Sequence, residues 1–200
     1  MKKDLLKKYE LIFPGQWIVS DDRDWASQNY RCLMLITDCF YEATVALYYF
    51  RPFSIDSIEA YERPSPYDAH LNTILAKHLV YSLDSIRNII NKLCKKCDPP
   101  PQVLPIYEEY KRRFGHLKFI RDSAIHIEDR GRGVNKNGLP LGANIISLSN
   151  FVNNTYCFTG DDGNEYGIDI TEETIRQAHE ILQKIVDSYG WHGITITIDF

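Results

Sequence analysis

Phe119-Ile120-Arg121-Asp122-Ser123-Ala124-Ile125-His126-Ile127-Glu128-Asp129-Arg130 closes a helical pattern that opens near Pro105, a residue suited to a first helical turn. Ile106, Tyr110, Phe114, Leu117, Ile120, Ala124 and Ile127 recur at threes and fours, which predicts one helix over residues 105–130 that buries this stripe. Asp122 and His126 stand four apart beside the stripe, so the carboxylate can accept from one imidazole nitrogen and leave the other free. Arg121 lies about 100° round the helix from Asp122, and its long stem lets the guanidinium swing toward His126 and hold a phosphate bidentately. A base, an orienting carboxylate and cations therefore fall within a dozen residues.

The segments on either side are mostly helical as well. Leu5, Leu6, Tyr9, Ile12 and Phe13 make a short amphipathic helix stopped by Pro14-Gly15. Asp22 or Asp24 can cap a second helix whose face runs Trp25, Cys32, Leu33, Ile36, Cys39, Phe40, Ala43, Leu47 and Phe50, with Pro52 ending it. Asp38 and Glu42 on that helix read as a polar stripe. Residues 51–67 hold three prolines and read as a loop with one helical turn at 57–61. From Asp68, the positions Leu71, Ile74, Leu75, His78, Leu79, Ser82, Ile86, Ile89, Ile90, Leu93 and Cys97 predict a helix buried between neighbours, with His78 a core histidine, until Pro99-Pro100-Pro101 stops it. Beyond residue 130 a glycine-rich loop precedes strand-like segments at 145–148, 155–159 and 165–170, with a turn at Asp161-Asp162-Gly163-Asn164. Thr171 caps a last helix ended by Gly190, and Ile194, Ile196 and Ile198 alternate as a closing strand. The expected architecture is one mainly α domain over residues 1–200, a bundle of four or five helices, with a small antiparallel β element at 143–170 and 193–200.

Composition narrows the function classes. Two hundred residues, 44% hydrophobic and 25% charged, suit one globular domain. The opening residues lack a signal-peptide pattern, and Asp38 and Glu42 interrupt the most apolar window, 32–50, so a cytoplasmic protein without a membrane span is expected. Five cysteines make no disulfide framework, and Cys94-Lys95-Lys96-Cys97 lacks the second half of a zinc site. No glycine spacing matches a P-loop or dinucleotide fingerprint, so no cofactor is expected. The net charge is −4, yet residues 111–136 hold eight cations (Lys111, Arg112, Arg113, Lys118, Arg121, Arg130, Arg132, Lys136) against three anions. That patch reads either as a solvated helix face or as a phosphate-binding surface.

Arg121-Asp122-Ser123-Ala124-Ile125-His126 resembles the arginine, four-residue spacer and histidine motif of the HEPN (higher eukaryotes and prokaryotes nucleotide-binding) family, and the helical order over residues 24–130 and 171–189 is similar to its bundle. The resemblance implies a metal-independent endoribonuclease of a defence or toxin–antitoxin type. Its implied catalytic residues are Arg121, Asp122 and His126; in the cationic patch around them, Lys118, Arg130 and Arg132 are the candidate RNA contacts. It also implies a homodimer that sets two motifs across one cleft, an RNA substrate and an antitoxin protein as partner. The strands have no place in that bundle and read as an insertion. Other HEPN-like proteins are non-catalytic nucleotide- or protein-binding modules. On that reading the same residues form surface ion pairs, Asp122 with His126 and His126 or Asp129 with Arg130. Sequence-specific DNA binding is disfavoured, since no helix-turn-helix spacing with a basic second helix is visible.

Overall fold

A computed structural model of the chain describes residues 3–51, 65–142 and 146–193. Two long helices frame it, α2 (Arg23–Tyr49) and α3 (Pro66–Lys96), after a short α1 (Lys3–Lys8). Asp22 caps α2, its carboxylate accepting from the Asp24 and Trp25 amides at 2.9 and 3.0 Å. Ser65 caps α3 by accepting from the Asp68 amide, and Pro66 fills the first turn, where a missing N–H costs nothing. The helix thus begins two residues before Asp68. Both ends of the pair show that it runs antiparallel. The Asn72 side chain bonds the Arg51 backbone at one end, while Trp25 Nε1 and Asn29 Nδ2 donate to the Asp98 and Cys97 carbonyls at the other.

The single helix expected over residues 105–130 is three: α4 (Val103–Phe114), α5 (Leu117–Ile125) and α6 (Ile127–Gly131). At the first break Gly115 packs so closely that a Cβ would stand 2.4 Å from the Lys111 carbonyl oxygen, an approach open to glycine alone. At the second, His126 leaves the helical region with φ −102° and ψ 40°. The expected stripe survives these turns in part. Tyr110, Phe114, Leu117, Ile120 and Ala124 are buried, Tyr107 joins them, and Ile127 is exposed. On α3, Ile74 and His78 also lie on the surface rather than in the core, His78 Nε2 standing 3.8 Å from Glu42 Oε2.

Three antiparallel strands, β2 (Asn150–Val152), β3 (Thr155–Thr159) and β4 (Glu165–Asp169), form a meander in the order β2-β3-β4. The first strand falls later than the 145–148 expectation. Ser147 instead clasps Thr159 by two hydrogen bonds, and residue 145 lies outside the described residues. Tyr156 and Phe158 carry β3 into the core, and Phe119 of α5 stacks on Tyr166 of β4 at 4.6 Å. α5 is thereby held between α3 and the sheet. α7 (Glu172–Asp187), capped by Thr171, buries Ile175, Ala178, Leu182 and Ile185 against α2 and α4. β1 (Trp17–Ile18) pairs with β5 (Trp191–His192), joining the segment before α2 to the one after α7. The expected turn at 57–61 and strand at 194–198 lie outside the described residues. No helix among the described residues is long and apolar enough to cross a membrane, and the five cysteines are free thiols.

Candidate functional site

α5 presents Arg121 and Asp122 on its last two turns, and the break that follows presents His126. The Arg121 guanidinium is fixed from two sides. Nε and Nη2 donate to Asp122 Oδ1 at 3.1 and 2.6 Å, and Nη1 donates to Asp84 Oδ2 on α3. Asp84 is fully buried and also accepts from Arg87 Nε at 2.7 Å and Asn88 Nδ2 at 3.3 Å, so the charge is matched by guanidinium donors on two helices. Burial alone would weaken the Arg121 charge, but the Asp122 hydrogen bond and the Asp84 and Asp122 charges outweigh it and hold the guanidinium more firmly protonated than usual. Three of the five guanidinium donors are engaged in this way.

The His126 ring does not pair with Asp122, although the His126 N–H still closes the helical bond to the Asp122 carbonyl at 3.1 Å; Asp122 Oδ1 is instead taken by Arg121. The His126 Nδ1 stands 3.8 Å from Asp129 Oδ2, and among the described residues no partner meets Nε2. The side chain is 39% exposed. Asp129 Oδ1 lies 3.9 Å from Arg132 Nη1, and Glu128 extends from the same turn with a carboxylate oxygen within 4.8 Å of the ligand atoms of His126 and Asp129.

The remaining candidates separate. Lys118 and Arg132 are exposed, as an RNA-contacting role requires. Arg130 cannot play that role as placed, because it is 1% exposed. Its Nη1 donates to the Val134 carbonyl at 2.9 Å and its Nη2 to Asp161 Oδ1 at 2.5 Å, tying α6 to the β3–β4 turn. The positive excess counted along residues 111–136 is also reduced in space, since Glu108, Asp84 and Asp161 pair with Lys111, Arg121, and Arg130 with Lys136. Two open grooves of about 740 and 460 Å³ flank α4, lined by Leu104, Glu108 and Arg112 and by Glu109, Arg113 and Gln177. Neither is lined by Arg121 or His126.

Sequence reasoning missed Asp84, and it paired Asp129 with Arg130 rather than with His126. Asp84 was visible as an acid with Arg87 three places on, beside the buried-spacing positions Leu79, Leu83, Ile86 and Ile90 of the same helix, a pattern that points to a buried ion pair. Asp129 stands three residues after His126, the same spacing that joins Asp84 and Arg87. No protein-family model, curated protein or solved structure matches the chain.

Proposed function

We propose that this chain is a HEPN-like, metal-independent endoribonuclease of the defence or toxin–antitoxin type that works as a homodimer. The observation that carries the reading is His126: a half-exposed imidazole at a helix break, one nitrogen facing Asp129 and the other open, one turn from an arginine held rigidly by a buried carboxylate. The chemistry is attack of an RNA 2′-hydroxyl on the adjacent phosphorus. As the P–O2′ bond forms and the P–O5′ bond breaks, a base takes the 2′ proton and an acid protonates the leaving 5′ oxygen, so a 2′,3′-cyclic phosphate and a 5′-hydroxyl result. His126 Nε2 is the proton-transfer group, and the Arg121 donors not taken by Asp84 and Asp122 stabilise charge on the phosphoryl oxygens. One chain supplies one imidazole. A two-fold pair supplies the base and the acid together, and the exposed Ile125 and Ile127 beside His126 give that pairing an apolar contact.

The test is cleavage of RNA in the presence of a chelator by the wild type, His126→Ala and Arg121→Ala. A loss of at least about 100-fold in both variants is expected. Absence of cleavage by the wild type, or equal cleavage by His126→Ala, removes the proposal. The engagement of Arg121 by two carboxylates favours a second reading, a non-catalytic HEPN-like module in which this network is structural and the protein binds a nucleotide or a protein partner. On that reading Arg121→Ala loses stability, and the wild type cleaves nothing.

A further inference from the structure

The turn that exposes His126 also gathers two carboxylates about it. We infer that His126, Glu128 and Asp129 bind one divalent transition-metal ion, and that its arrival withdraws the imidazole from catalysis; the second half rests on the ribonuclease reading. One ligand atom from each residue lies within 4.8 Å of the other two. Ligands about 2.1 Å from a shared ion stand roughly 3.0–3.5 Å apart, so small side-chain rotations close the set. An imidazole nitrogen with two carboxylates suits zinc, cobalt or nickel rather than calcium or magnesium, which prefer oxygen alone. The two acids neutralise the ion, and three ligands leave coordination positions for water.

The backbone bearing the ligands is anchored. Arg130, one residue beyond Asp129, is buried on Asp161 and the Val134 carbonyl, which holds α6 against the sheet. Glu128 is exposed and has no ion pair among the described residues, so its carboxylate turns inward without breaking a contact. The competing cation is Arg132, 3.9 Å from Asp129 Oδ1 and itself 75% exposed, which a divalent ion displaces at little cost. A metal bound through Nδ1, the nitrogen that faces Asp129, leaves Nε2 as an N–H with no lone pair to accept a proton, so His126 no longer serves as a base while the metal stays.

The experiment titrates the whole protein, without RNA, with Co²⁺, followed by calorimetry and absorption. One ion per chain is expected, with weak visible bands and no intense near-ultraviolet thiolate band. Glu128→Gln and His126→Ala each weaken binding at least tenfold, with circular dichroism unchanged. No binding, equal binding in both variants, or a thiolate band placing the ion on the cysteines would each overturn the site. With RNA present, Co²⁺ inhibits cleavage, and Glu128→Gln raises the half-inhibiting concentration by the factor its affinity falls. Binding without inhibition overturns the regulatory half. A protein that binds Co²⁺ but never cleaves RNA loses the ribonuclease reading and keeps the metal site.

Discussion

Asp84 shows how a single buried charge can organise a site. It is fully buried beside Val80 and Leu83, and it holds Arg87 from its own helix and Arg121 from α5. Removing one partner of such a cluster leaves the others charged and short of acceptors, which costs about 3–5 kcal/mol. Asp84→Ala is therefore expected to lower the unfolding free energy by about that much in urea titrations, whereas Lys8→Ala, which removes an exposed pair with Glu172 and a contact with the Tyr9 ring, should change it far less. Equal effects would mean that the α3–α5 network contributes no more than a surface pair. Asp161 gives the same logic a pH dependence. Burial raises its carboxyl pKa, but the Lys136 amide, the Arg130 hydrogen bond and both cations prevail and lower it. A carboxylate depressed below its unfolded value, near 3.9, contributes in full above about pH 4 and loses that contribution as pH falls further. Asp161→Asn should lower stability at pH 7 and flatten its decline below pH 4; a variant with the parent's acid limb would assign that limb to other carboxylates. At this scale the sequence supplied the residue types of the site but not their pairing. Asp122 and His126 have the right spacing, and the helical backbone bond between them forms, but Asp122 pairs with Arg121 and the imidazole stands by Asp129.

The long helices were legible because their signals are local and redundant. Asp22 and Ser65 are good caps, Pro66 a good first residue, Phe50 and Cys97 lie just before prolines, and the apolar positions between them repeat for seven or more turns. The breaks within residues 105–130 were not legible, because the same apolar period runs across both of them and the cause is tertiary: α5 must turn to lie between α3 and the sheet. Gly115 is the sequence's one concession to that turn. Gly115→Ala, favourable in an uninterrupted helix, should here cost about 1–3 kcal/mol, since its Cβ meets backbone rather than a flexible side chain. A stabilised variant, by thermal or urea unfolding, would show that α4 and α5 can merge. His116, the next residue, belongs to the same joint. Burial first, and the Arg113 charge second, lower its pKa, against a backbone hydrogen bond at Gly167 that raises it. The folded protein therefore resists protonation that the unfolded chain accepts near pH 6.5, so stability falls as pH drops below about 6.5 until the folded pKa is passed. His116→Gln should remove that part of the slope between pH 7 and 5, and an unchanged slope would place it on another histidine.

Taken whole, the molecule is an antiparallel helix pair, α2 and α3, against which α4, α5 and α7 pack, with a small sheet holding α5 and α6 from the far side. The sheet read in sequence as an appendage to the bundle, and its place beside the motif explains its presence. Phe119 stacks on Tyr166, and Arg130 reaches Asp161, so both helices of the candidate site are fastened to β strands or their turn. What faces outward at that place is Ile125, His126 and Ile127, two exposed isoleucines around the imidazole. A single copy leaves this apolar pair in water, whereas a two-fold contact through it would bury four isoleucines and bring the two imidazoles to one cleft. On the ribonuclease reading, oligomeric state and activity therefore rise and fall together. Ile125→Asp, at a position 55% exposed and so not needed for folding, should convert a dimer into a monomer in analytical ultracentrifugation. It should also abolish RNA cleavage while thermal unfolding stays near that of the parent. A variant that remains dimeric, or a monomer that still cleaves, would show that the two motifs do not act across this face.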